Sequence, residues 1–121
     1  MTVWRVPGGL DVVLKLWSIR ETDSGVRHFV GYDVVNAEGR VSTPIMQFDP
    51  MTGTGVTSTG SRYQLVGRAG HNRDAEYVWE LATKAWDIGS WTDITPTLVP
   101  DWRRGFTLPS SVEDDADIGG G

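Results

Sequence analysis

Apolar and polar residues alternate along the first half of the chain, and the period changes once, at Asn72. From Leu10 to Arg20, Leu10, Val12, Leu14 and Leu16 share one parity, while Val13, Trp17 and Ile19 take the other. A two-residue period of this kind marks a strand, here one covered on both faces. Glu21 to Gly25 has the composition of a hairpin turn. Val26 to Asn36 follows with Val26, His28, Val30, Tyr32 and Val34 on one face and Arg27, Phe29, Asp33 and Val35 on the other. After a turn at Ala37 to Arg40, a third strand is expected over Val41 to Asp49, near a sheet edge because Pro44 lacks a backbone donor. Thr54 to Gly60 reads as a short strand or loop, and Ser61 to Arg68 as the returning strand. With no helix between them, consecutive strands are expected to pair antiparallel, since parallel neighbours need a long crossover.

Beyond Asn72 the step becomes three or four. Ala75, Trp79, Ala82 and Trp86 form an apolar stripe widened by Val78 and Ala85, with Glu76, Glu80, Thr83, Lys84 and Asp87 off it. This predicts a helix capped by Asn72 or Asp74 and stopped by Gly89, with Trp79 and Trp86 buried against the sheet. Prolines at 96, 100 and 109 exclude a long helix afterwards, so an extended arm anchored by Trp91, Ile94 and Leu98 is expected. The fold class is therefore α+β: an antiparallel four- to five-stranded meander (residues 10–68), one C-terminal amphipathic helix (72–88) and an arm (89–109) make a single domain, 1–109. Residues 110–121, polar, acidic and glycine-rich, are expected to be a flexible tail.

Composition adjusts this picture in three ways. The chain has 121 residues, a common size for one domain. The absence of cysteine excludes disulfides, thiolate nucleophiles and sulfur-bound zinc. Together with the lack of an apolar leader at the N-terminus, it makes the cytoplasm the expected compartment, with no membrane association. Of sixteen acidic residues, Glu113, Asp114, Asp115 and Asp117 lie in the tail, so residues 1–112 carry 11 basic and 12 acidic side chains. A nearly neutral body disfavours direct nucleic-acid binding, which needs a basic excess.

Candidate chemistry is sparse. The two histidines, His28 in a strand and His71 in a loop, have no metal-ligand spacing, and neither a metal nor a cofactor is expected. Gly53, Gly55 and Gly60 lack the Lys-Ser/Thr ending of a phosphate loop and read as turns. The six tryptophans are the informative excess. Trp4 and Trp102 fall in terminal segments, and Trp102, Arg103, Arg104 and Phe106 combine residue types enriched at binding hot spots. These five, Trp4 included, are the candidate partner-binding residues. The same arm can instead fold back and cover the sheet.

The runs WSIRETDSGVRHFVGYDVVNAEGRVSTPIMQFDP, TSTGSRYQLVGRAGHNRDAEYVWELATKAW and WTDIT resemble a family of small proteins carried by bacterial phages, plasmids and genomic islands. The likeness spans residues 14–95 and is most specific at Gly60 to Gly67 and Asp74 to Trp79. It implies an accessory protein of a mobile element acting in the host cell, such as an anti-CRISPR inhibitor that occludes a host defence effector. In that setting the acidic tail can compete with nucleic acid for a basic groove. The leading reading is a non-enzymatic protein-binding inhibitor or accessory factor. The alternatives are a small transferase or hydrolase with a site near Tyr63, His71 and Glu76, and a self-associating structural protein.

Overall fold

The structure, a computed structural model, describes residues 9–107. Trp4 and the acidic residues of the tail lie outside that range. The elements are β1 (Val12–Thr22), β2 (Arg27–Asp33), β3 (Glu38–Val41), β4 (Ile45–Asp49), β5 (Thr54–Thr57), β6 (Arg62–Leu65), α1 (Arg73–Ala85), β7 (Trp91–Asp93) and α2 (Thr95–Leu98). They make a small, mostly antiparallel α+β sheet with the order β3-β2-β1-β6-β5-β4, and β7 pairs with the far end of β1. The outermost strands, β3 and β4, are joined through only Ser42, Thr43 and Pro44. The sheet consequently curls, and Phe29 of β2 reaches Phe48 of β4 at 5.7 Å between ring centroids.

The concave side holds the main core: Val12, Leu14, Trp17, Ile19, Phe29, Tyr63, Leu65 and Val99. Val12 and Leu14 share it with Trp17 and Ile19, of opposite parity, because the strand carries a bulge. The register slips between Lys15 and Ser18, and Leu16 takes a φ of 48°. One extra residue reverses the facing of everything after it. Opposite the bulge stands Gly31, where a Cβ would lie 3.1 Å from the Lys15 carbonyl and from the Trp17 Cα. On the convex side α1 lies over β2 and β3, burying Ala75, Trp79 and Ala82 against Val30. The Asn72 side chain accepts the Ala75 N–H at 2.9 Å, and Asp87, with a φ of 55°, follows the Trp86 cap to end the helix.

Several expectations are corrected. Among the described residues there are seven strands rather than four or five, because most of the segment expected as the turn Ala37 to Arg40 forms β3, the strand expected over Val41 to Asp49 is shortened to β4, and the arm supplies β7. The sheet is not wholly antiparallel: β1 and β6 run parallel through Val12, Val13 and Leu14 opposite Tyr63, Gln64 and Leu65. The intervening four strands provide the crossover that parallel pairing needs. A second helix, α2, starts with Thr95 and Pro96, so the arm is not simply extended; a proline is tolerated in a first helical turn. Trp86 is 47% exposed rather than core, since α1 ends at Ala85 and the chain turns away. Of the arm's expected anchors, Ile94 and Leu98 are half-buried and Trp91 is exposed, while Val99, outside that expectation, is buried.

Candidate functional site

The arm returns across the mouth of the curled sheet and is tied there by backbone pairing. Gly67 and Phe106 exchange hydrogen bonds, 2.6 Å from the Gly67 N–H and 3.2 Å from the Phe106 N–H, and the Ala69 N–H donates to the Trp102 carbonyl at 3.0 Å. Phe106 stacks on Trp17 at 5.6 Å, above Gly53, where a Cβ would come within 2.5 Å of the ring. The Trp17 indole N–H donates to the Gly67 carbonyl at 3.0 Å. Phe106 is thus part of the packing, as the fold-back reading of the arm requires.

Next to this seam the arm leaves a gap. A cleft of about 430 Å³ opens between residues 68–71 and the segment from Asp93 to Trp102, with Trp17 and Ser18 at its base. Arg68 and His71 line one wall, Thr95, Pro96 and Trp102 the other. The far wall is rigidly placed: the Thr95 hydroxyl accepts the Ile19 N–H at 2.9 Å, and the Asp93 carboxylate accepts the Thr95 N–H at 2.9 Å. Trp102 is half-buried, and the Arg103 guanidinium lies 4.4 Å from its ring centroid. Arg68, Arg103 and Arg104 are exposed, and none of them has a described carboxylate within ion-pair distance. The cleft therefore offers an aromatic and apolar wall beside guanidinium groups able to grip a carboxylate in two places.

Of the sequence-predicted binding residues, Trp102 lines this cleft, Arg103 lies over the Trp102 ring, Arg104 follows in the same turn, Phe106 packs against Trp17, and Trp4 lies outside the described residues. Arg68 and His71 were not legible as its opposite wall. The available signal was the pair Gly67 and Gly70 flanking them, since Gly67 takes a φ of 69° and Gly70 accepts only a close approach to Leu16. Tyr63, His71 and Glu76, weighed as a catalytic group, have separate surroundings. Tyr63 is buried with its hydroxyl accepting from Arg40 at 3.1 Å, Glu76 pairs with Arg20, and His71 is exposed at the cleft.

No family model, curated protein or solved structure matches the chain. What the cleft does is therefore argued from its chemistry. Among the described residues no group of three or more His, Asp or Glu is placed to hold a metal ion, and no helix is long and apolar enough to cross a membrane. A second hollow of about 310 Å³ runs beside the edge strand β4, between Phe48, Met46 and Leu98. Its one charged lining residue, Arg27, is paired with Glu21 at 3.0 Å.

The convex side carries an aromatic stack. His28 lies against Trp86 at 4.9 Å and near Trp79 at 5.9 Å, and its Nδ1 meets the Ser42 carbonyl at 2.8 Å. Burial lowers the His28 pKa from 6.5, opposed by the Ser42 hydrogen bond. The unfolded chain then binds this proton more readily than the folded one, so stability is full above pH 6.5 and falls as the pH drops from there toward the depressed folded value. Urea midpoints measured between pH 8 and pH 5.5 are expected to decline on the acid side. His28→Asn is expected to flatten that part of the profile; an unchanged slope would assign it to carboxylates instead.

Proposed function

We propose that this chain is a non-enzymatic protein-binding module whose cleft receives an acidic segment of a partner, with an apolar side chain of that segment against Trp102 and its carboxylates on Arg68, Arg103 and Arg104. The observation that carries this reading is the combination of a half-buried tryptophan wall with exposed guanidinium groups lacking described carboxylate partners. Arginine suits the role because its planar fork matches a carboxylate and it stacks on aromatic rings. Residues 9–107 carry 10 basic and 12 acidic side chains, so the attraction is local to this turn and loop rather than a property of the whole surface. The narrower reading, an inhibitor or accessory factor of a mobile element that blocks a host defence effector, rests on the family resemblance and assigns the acidic segment to that effector.

Capture from host lysate with the tagged full chain, run in parallel with R68A/R103A/R104A, tests the proposal. Expected is a protein retained by the wild type and lost by the variant at equal folded content. The difference between wild type and variant should be largest at low salt and shrink as salt is added, because the Debye length falls to about 10 Å at 0.1 M ionic strength and exposed charges are screened beyond it. Equal retention by both forms, or none by either, would overturn it.

A further inference from the structure

At about 430 Å³ the cleft beside the arm stands toward the lower end of ligand-sized cavities, about 300 to 1,000 Å³, so it admits one large side chain with its backbone rather than a run of residues. Of Arg68, Arg103 and Arg104, Arg68 alone lines it, with His71 on the same wall. Across from them Asp93 contributes a carboxylate, which accepts the Thr95 N–H at 2.9 Å and opposes entry of a second anion. Trp17, Ala69, Pro96 and Trp102 supply the apolar lining. The interior thus matches one carboxylate at Arg68 and one apolar group against Trp102.

The interior of an acidic segment does not present those two groups together. Consecutive side chains of an extended chain point to opposite faces, and neighbours on one face stand about 6.6 Å apart. The last residue of a chain, by contrast, carries a carboxylate and a side chain on a single Cα. From this match of size and charge we propose that the cleft receives the C-terminal residue of the partner's segment, its free carboxylate on Arg68 and its large apolar side chain against Trp102. This rests on the reading of the cleft as a receptor for an acidic segment and specifies which part of that segment enters. Capture of a terminal carboxylate is a recurring mode of peptide recognition, and a planar guanidinium holds both of its oxygens at once. Asp93 orients the residue, since a carboxylate turned toward that wall is repelled. Carboxylates further back along the segment stay outside, where Arg103, lying on the Trp102 ring, and Arg104 in the same turn are exposed. An internal stretch of the same composition is rejected, because it has no terminal oxygen pair for Arg68 and must pass a continuing chain through a space sized for one residue.

The test titrates the full wild-type chain, by calorimetry, with four acetylated peptides: Glu-Glu-Gly-Phe ending in a free carboxylate, the same peptide ending in an amide, the same peptide extended by two glycines, and Glu-Glu-Gly-Gly with a free carboxylate. The first is expected to bind most tightly and each of the others about tenfold more weakly, having lost the terminal charge, its position or the apolar group. In Arg68→Met, at an exposed position, the acid and the amide are expected to bind alike, an outcome that a merely structural role for Arg68 would not produce. Equal affinities of acid and amide for the wild type would overturn terminal capture and leave the receptor reading standing. A gap between acid and amide that survives Arg68→Met would overturn the assignment of the carboxylate to Arg68. Failure of all four peptides to bind the wild type at about millimolar concentration would overturn the receptor reading, and terminal capture with it.

Discussion

Glu76→Ala is expected to destabilise the protein by about 3 kcal/mol, whereas the double variant R20M/E76L should stay within about 1 kcal/mol of the wild type. Arg20 is almost completely buried, at 1% side-chain exposure, on the convex side of β1. Its Nη1 donates to Glu76 Oε1 at 3.0 Å, its Nη2 to Glu76 Oε2, and its Nε to the Ser18 hydroxyl at 3.1 Å. The guanidinium lies 4.7 Å from the Trp91 ring centroid and 5.4 Å from that of Trp79. Removing the carboxylate leaves a cation with one neutral acceptor and two ring faces, out of reach of bulk water. Glu76 is itself 38% exposed, which places the cost toward the lower end of what breaking a buried pair entails. An apolar pair of similar size leaves no orphaned charge, which is why the double variant should recover. Urea midpoints of the two proteins at pH 7 decide the matter; an E76A midpoint equal to the wild type would show that the pair does not hold α1 on the sheet.

Gly39→Ala should be comparably severe, about 3 kcal/mol, for a different reason. A Cβ at Gly39 would sit 2.5 Å from the Asp74 carbonyl oxygen and against the peptide bond joining Asp74 to Ala75. The obstacle is helix backbone in the first turn of α1, which has no rotamer to change, so the helix must move off β3 or the strand must shift. Either movement opens the contact that buries Ala75 and Trp79 against Val30. Amide exchange distinguishes this from a general loss of stability. Protection over residues 73–85 should fall more than protection in the concave core at Leu14 and Leu65. Uniform loss, or none, would show that the close approach is not required.

Both predictions concern the convex side, and both have consequences for the cleft. Trp91 stacks edge-on with Trp79 at 5.4 Å and belongs to β7, which pairs with Arg20, Glu21 and Thr22 of β1. The far wall of the cleft begins two residues later, at Asp93. Loosening α1 therefore acts on the arm that carries Trp102 and Arg103, so binding assays on such variants need to be read at matched folded content.

Part of this architecture was legible because local order is written locally. The alternation along β2 places His28 and Val30 toward α1 and Phe29 in the concave core, as the parity predicts. The three-to-four step after Asn72 marks α1, whose start depends on that one side chain. Pro44 precedes β4, which does lie at an end of the sheet order. These features follow from backbone period, missing donors and short-range hydrogen bonds, all contained within a few neighbouring residues.

Tertiary structure alone decided the rest. Whether Leu14 and Trp17 face the same core depends on the bulge at Leu16, which Gly31 on another strand makes room for. The parallel pairing of β1 with β6 joins segments some fifty residues apart, and no local period specifies which distant strand will be the neighbour. Trp86 continues the apolar stripe of α1 but lies past the helix end, so periodicity counted it as core while the chain's turn at Asp87 left it half-exposed against His28. The cleft exists because the arm meets Gly67 and Ala69 without filling the space beside them. Apolar spacing reports which side of an element avoids water; where two such elements meet, and what gap they leave, is settled by the closure of long loops and by shape at the contact.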